Sequence, residues 1–94
     1  MYFITTIRIK NNEVQTQRCV GYVDTYEKAE QIIINNEYDI NETIYQYAII
    51  ENIPMGLYQY DEHPQWFKWN DLLEIYEKCE SPKFLKNWIG FGIG

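Results

Sequence analysis

The first twenty-three residues constrain the fold most. YFITTIRIK, Tyr2 to Lys10, alternates so that Phe3, Thr5, Ile7 and Ile9 share one face, and EVQTQRCVGYV, Glu13 to Val23, is rich in β-branched residues. Only Asn11-Asn12 lies between them. Asparagine tolerates positive φ, so the pattern predicts a β-hairpin closed by a two-residue turn. Its apolar face needs cover from the rest of the chain. Asp24 stands three residues before Glu27, the spacing of a capping box with aspartate as N-cap, and Tyr26, Ala29, Ile32 and Ile33 follow at helical intervals. A helix from Thr25 to about Asn35 is predicted.

Asp39-Ile40-Asn41-Glu42 repeats the cap-like spacing over a shorter run, which predicts one helical turn linking helix to sheet. IYQYAIIENI, Ile44 to Ile53, reads as a central strand, apolar on both faces and covered by the helix on one side. Pro54-Met55-Gly56 ends it. LYQY, QWFKWN and LLEIYEKC are shorter strand candidates, the last two forming a hairpin that turns near Asn70-Asp71. Ser81-Pro82 opens a short helix over KFLKNW, with proline at its first position, and GFGIG closes the chain. The expectation is a single α+β domain over 1–94: a small antiparallel or mixed sheet in the order β-β-α-β-β-β, one main helix packed on it and a short C-terminal helix.

Ninety-four residues build one core, and a domain this small buries only about 60–65% of the surface of its unfolded chain. No disulfide framework compensates: Cys19 and Cys79 lack a CxxC partner or a histidine cluster and read as reduced, partly buried thiols. Association supplies missing burial, and nine tyrosines in a chain that is 17% aromatic supply the surface, so a homo-oligomer is expected. Met1 runs straight into Tyr2-Phe3-Ile4 without a basic n-region, and no apolar run approaches the roughly 18 residues of a membrane span. These features predict a cytoplasmic protein without membrane contact.

Charge decides among partners. Residues 24 to 80 hold thirteen acids against Lys28, Lys68 and Lys78, whereas the first hairpin carries the only two arginines, Arg8 and Arg18. Duplex nucleic acid, which needs a run of cationic contacts, is excluded on this count. A basic protein, or a small ligand gripped by a few cations, stays open.

Catalytic patterns are sparse. Ser81 is the only serine and His63 the only histidine, so a serine triad would rest on one improbable pair, and a dyad of His63 with a cysteine has little more to support it. His63, between Glu62 and Pro64, reads as a solvent-facing turn residue. The glycines of GFGIG have no helix after them to aim amides at a phosphate. DINE and YDE lack the ligand order of a metal loop. Neither enzymatic activity, a metal nor a cofactor is expected.

Binding suits the composition better. Arginine's planar fork is made for a phosphate or carboxylate, so Arg8 or Arg18, together with Lys68, is the candidate grip on an anionic ligand. Tyr45, Tyr47, Tyr58, Tyr60, Trp66 and Trp69 are candidates to stack a nucleobase, each contact being worth roughly 1–3 kcal/mol. Alternation splits QWFKW, with Phe67 and Trp69 assigned to the core and Trp66 and Lys68 facing outward. The site expected for a ligand is therefore Arg8, Arg18, Tyr45, Tyr47, Trp66 and Lys68.

RCVGYVDTYEKAE, DINETIYQYAIIENIPMGLY, QWFKW and SPKFLKNWIGFGIG, taken in this order, resemble a group of small proteins encoded by phages and prophage-bearing Firmicutes. The resemblance covers nearly the whole chain and carries over no catalytic residue. It implies an anti-defence role in the host cytoplasm, by analogy alone. One form is an oligomeric sponge that sequesters a nucleotide-derived immune signal. Another is an acidic inhibitor directed at a host defence protein, a nucleic-acid mimic in which Glu37, Asp39 and Glu42 block the basic channel of a CRISPR or other nuclease effector. A third is a structural or regulatory phage protein without ligand.

Overall fold

The computed structural model describes residues 1–53 and 64–82. The LYQY strand, the KFLKNW helix, the GFGIG tail, the strand end at Pro54-Met55-Gly56, and Tyr58, Tyr60 and His63 lie outside the described residues. The protein is a small α+β fold: a five-stranded antiparallel sheet with one helix packed on it. The strands are β1 (Tyr2–Lys10), β2 (Glu13–Val23), β3 (Tyr47–Asn52), β4 (Gln65–Asn70) and β5 (Ile75–Cys79), and helix α1 (Tyr26–Ile34) joins β2 to β3. In space the strands run β2-β1-β3-β4-β5, so the helical connection carries the chain over β1 to its other side.

Local chemistry explains the first units. Asn11 and Asn12 both take positive φ, 55° and 62°, which a tight turn matched to the strand twist requires. β2 carries two irregularities against β1, and Gly21 sits beside one of them at φ +155°, a backbone conformation that L residues rarely adopt and glycine takes freely. The helix cap lies one residue later than the sequence pattern suggested. Thr25, extended at φ −130° and ψ 150°, accepts a hydrogen bond from the Lys28 amide through its side chain. Asp24 instead ion-pairs with the Lys28 ammonium at 2.9 Å.

α1 buries Ala29 and Ile33 against Ile4, Ala48, Ile50, Phe67 and Tyr76, which form the main core on one face of the sheet. An ion pair of 2.9 Å between Lys78 on β5 and Glu30 ties the helix to the far side of the sheet. The opposite face has its own cluster, Ile7, Ile49 and Trp66, flanked by Ile9, Val14, Tyr47 and Cys79. This corrects the outward assignment of Trp66, whose exposure is only 2%. The alternation of QWFKW is real, with Phe67 and Trp66 on opposite faces, but both faces are covered at the middle of the sheet. Lys68 is exposed as expected, and Trp69 is half-buried against Tyr76, ring centroids 5.0 Å apart.

Between α1 and β3 the chain follows a path the sequence pattern did not anticipate. A short 3-10 turn occupies Glu37–Asp39, earlier than the helical turn expected over Asp39 to Glu42, and it breaks at Tyr38. Asn36, Tyr38, Asp39, Glu42 and Thr43 all take positive φ. For β-branched Thr43, at φ 60°, this conformation is unfavourable and needs outside support. β3 consequently begins at Tyr47 rather than Ile44. Gln46, just before it, imitates a strand residue: its side chain accepts from the Ile9 amide at 2.8 Å and donates to the Ile9 carbonyl at 3.0 Å.

Candidate functional site

Asn41 holds this irregular loop together. Its side-chain oxygen accepts from the Thr43 amide at 3.0 Å, and its Nδ2 donates to the Tyr45 carbonyl at 2.8 Å and to the Tyr76 hydroxyl at 3.4 Å. Its own amide donates to Asn36 Oδ1 at 2.9 Å. The Tyr76 hydroxyl, rising from β5, donates to the same Tyr45 carbonyl at 2.8 Å. A buried amide and a buried phenol thus satisfy one another and fix a loop whose backbone would not hold the shape alone.

Burial pushes the Tyr76 phenol up to about 12 from an ordinary 10.0. The folded state therefore keeps a proton that the unfolded chain releases near pH 10, so stability is complete below that value and falls as pH rises toward 12. A loss of about 2–3 kcal/mol over this interval is expected. Urea unfolding at pH 9 and pH 12 checks it, with Tyr76→Phe removing most of the difference.

The loop walls a cleft of about 800 Å³. Arg8, on β1, and Lys68, on β4, reach it from the sheet, half-buried Trp69 supplies aromatic surface, and Tyr45, only 8% exposed, borders it from the core. Asn35, Asn36 and Gln46 contribute amides. Asp39, Asp71 and Glu74 also line it, so its two cations face three carboxylates. Such a cleft suits a ligand whose anionic group is confined to one end and whose remainder is polar and planar.

Three of the six residues nominated for a ligand, Arg8, Tyr45 and Lys68, therefore converge from β1, the loop and β4. The other three do not join them. Tyr47 and Trp66 share the face of Lys68 but stack edge to face at 5.8 Å within the Ile7 and Ile49 cluster, and neither lines the cleft. Arg18 lies on β2, where it forms a hydrogen-bonded ion pair with Glu42 and borders a separate cavity of about 520 Å³. Arg8 makes no ion pair and no side-chain hydrogen bond among the described residues. The two arginines, equivalent in sequence, thus differ in what they have left to offer a ligand.

Of the three carboxylates nominated for a protein partner, Glu42 is taken up by Arg18, Asp39 is exposed and Glu37 is half-buried. The loop residues Asn36 and Asn41, and Tyr38 with 91% exposure, were missed by the sequence reading. The signal for them was the run of asparagines and aspartate in NNEYDINET, residues that accept left-handed backbone and close local hydrogen bonds. Among the described residues no group of three histidine, cysteine, aspartate or glutamate side chains could hold a metal ion, and no helix is long and apolar enough to cross a membrane.

No protein-family model matches the chain, and no curated protein or solved structure is significantly similar to it.

Proposed function

We propose that the protein works by binding and not by catalysis, and that it sequesters a nucleotide-type immune signal in the cleft between the Asn36–Gln46 loop and β4. The reading extends to a phage-encoded inhibitor of host immunity that acts in the host cytoplasm as a homo-oligomer. One observation carries it: Arg8, which has no partner among the described residues, borders the same cleft as Lys68, the half-buried Trp69 ring and the edge of the buried Tyr45. Phosphate recognition asks for a guanidinium free to form a forked contact. Base recognition asks for a flat apolar ring with amides beside it. The three carboxylates argue for a ligand of low charge density, such as a cyclic nucleotide, over a nucleoside triphosphate.

The alternative of an acidic inhibitor directed at a nuclease is favoured less. Glu42 is neutralised by Arg18, which removes one of the three charges nominated for a basic channel.

Thermal unfolding with cyclic mononucleotides, cyclic dinucleotides and ADP-ribose tests the proposal. A true ligand at a hundredfold excess over its dissociation constant adds about 2.7 kcal/mol of stability. Arg8→Ala and Lys68→Ala should each remove most of that gain, whereas Arg18→Ala should leave it. If the Arg18 variant abolished the gain and the Arg8 variant kept it, the ligand would belong to another site.

A further inference from the structure

The lining of the Arg8 cleft changes character from one end to the other. Arg8 stands on β1, where the register sets Ile7 beside Tyr47 of β3 and Tyr47 beside Lys68 of β4. One residue further along, the Trp69 amide donates to the Gln46 carbonyl at 2.8 Å, so Trp69 lies two strands from Arg8, about 10 Å at the usual spacing of a sheet. Beyond Trp69 the chain turns into β5 through Asp71 and Glu74, which line the same cleft. A guanidinium, an indole and two carboxylates thus follow one another along a single opening.

Both carboxylates are exposed, and neither makes an ion pair or a side-chain hydrogen bond among the described residues. The turn that carries them is fixed. Asn70 Oδ1 accepts from the amides of Leu72 and Leu73 at 3.0 and 3.2 Å, the Glu74 amide donates to the Asn70 carbonyl at 2.8 Å, and Asn70 Nδ2 donates to Glu77 at 2.8 Å. Its backbone is therefore in place before a ligand arrives, which lowers the ordering cost of binding. A carboxylate accepts hydrogen bonds and donates none, so this end of the cleft asks for a ligand edge made of donors.

We infer that the turn over residues 71–74 reads the base of the bound nucleotide and selects guanine, an inference that rests on the cleft being a nucleotide site. Guanine alone among the common bases presents two adjacent donors, N1–H and the 2-amino group, which meet the two oxygens of one carboxylate as a guanidinium fork does. Adenine and cytosine set their exocyclic amine beside a ring nitrogen that accepts, and uracil sets its N3–H between two carbonyls. Each of these turns a lone pair toward the carboxylate. With its phosphate at Arg8 and its ring against Trp69, a guanine nucleotide spans the opening with the donor edge toward the turn.

Calorimetric titration of the full chain with cyclic GMP, cyclic AMP, cyclic CMP and cyclic UMP tests the inference. The wild type should bind cyclic GMP at least about tenfold more tightly than the other three, the discrimination given by one bidentate base contact. One of Asp71→Asn and Glu74→Gln should remove that preference and tip it toward cyclic AMP, because a side-chain amide pairs with the donor and acceptor of adenine. Arg8→Ala should weaken all four and keep their ratio. Equal binding of the four by the wild type, or an unchanged preference in both turn variants, would overturn guanine selection and leave the cleft reading standing. If none of the four bound, guanine selection would be overturned, and the thermal scan with cyclic dinucleotides and ADP-ribose would decide the cleft reading separately.

Discussion

Asn41→Ala will lower the stability of the protein by about 2–4 kcal/mol, measured by urea unfolding. The substitution deletes an acceptor for the Thr43 amide and a donor to the Tyr45 carbonyl and Tyr76 hydroxyl, all in a region where Asn41 is only 5% exposed. Each buried group left without its partner costs about 1–3 kcal/mol. The upper end of the range is held down because Tyr76 still donates to the Tyr45 carbonyl. Backbone support adds to the loss, since Thr43 is no longer held in its unfavourable conformation. Against the 5–15 kcal/mol typical of a whole domain this is a large fraction. Asn41→Asp separates hydrogen bonding from volume. It keeps the acceptor but sets a carboxylate against a carbonyl, so it should be more damaging than alanine at pH 7 and should recover as acid protonates it. Equal stability of the wild type and both variants would show that the loop is held by something else.

The second large effect is expected at Trp66. Its ring packs with Ile7 and Ile49 on the face of the sheet opposite the helix, and truncating a buried tryptophan costs about 3–5 kcal/mol. At about 4–8 °C per kcal/mol for a domain of this size, Trp66→Ala should melt at least about 12 °C below the wild type. Trp69→Ala makes the informative comparison. Trp69 is half-buried beside Tyr76 and borders the cleft, so its loss should cost less stability and more ligand affinity. If Trp66→Ala were as stable as the wild type but blind to ligand, Trp66 would be a contact residue as its sequence position first suggested.

That contrast shows what the sequence can and cannot disclose. The hairpin and α1 were legible because their signals are local: two asparagines for a tight turn, apolar residues at helical spacing for the buried stripe of Ala29 and Ile33. The alternation in QWFKW correctly separated Trp66 from Phe67. It could not say that both faces are covered, because alternation reports which residues share a face and not what lies over that face. The split between Arg8 and Arg18 was hidden for a related reason. It depends on Glu42, twenty-four residues from Arg18 and brought to it only by the crossing of α1 over the sheet. The loop from Asn36 to Gln46 was the least readable element. Tyr38, Glu42 and Thr43 adopt left-handed backbone that their own preferences oppose, and the buried Asn41 and Tyr76 that enforce it are thirty-five residues apart.

The central claim is that the cleft bordered by Arg8, Tyr45, Lys68 and Trp69 is the ligand site. Its most direct test is a nuclear magnetic resonance titration of the labelled protein with the nucleotide that raises its melting point most, following the indole N–H signals of Trp69 and Trp66 together. The account predicts that the Trp69 indole and the amides of Asn36 to Gln46 shift in proportion to ligand bound, while the Trp66 indole stays in place. Shifts centred on Trp66 and Tyr47, or on Tyr22 and Tyr38 with Trp69 unmoved, would contradict it.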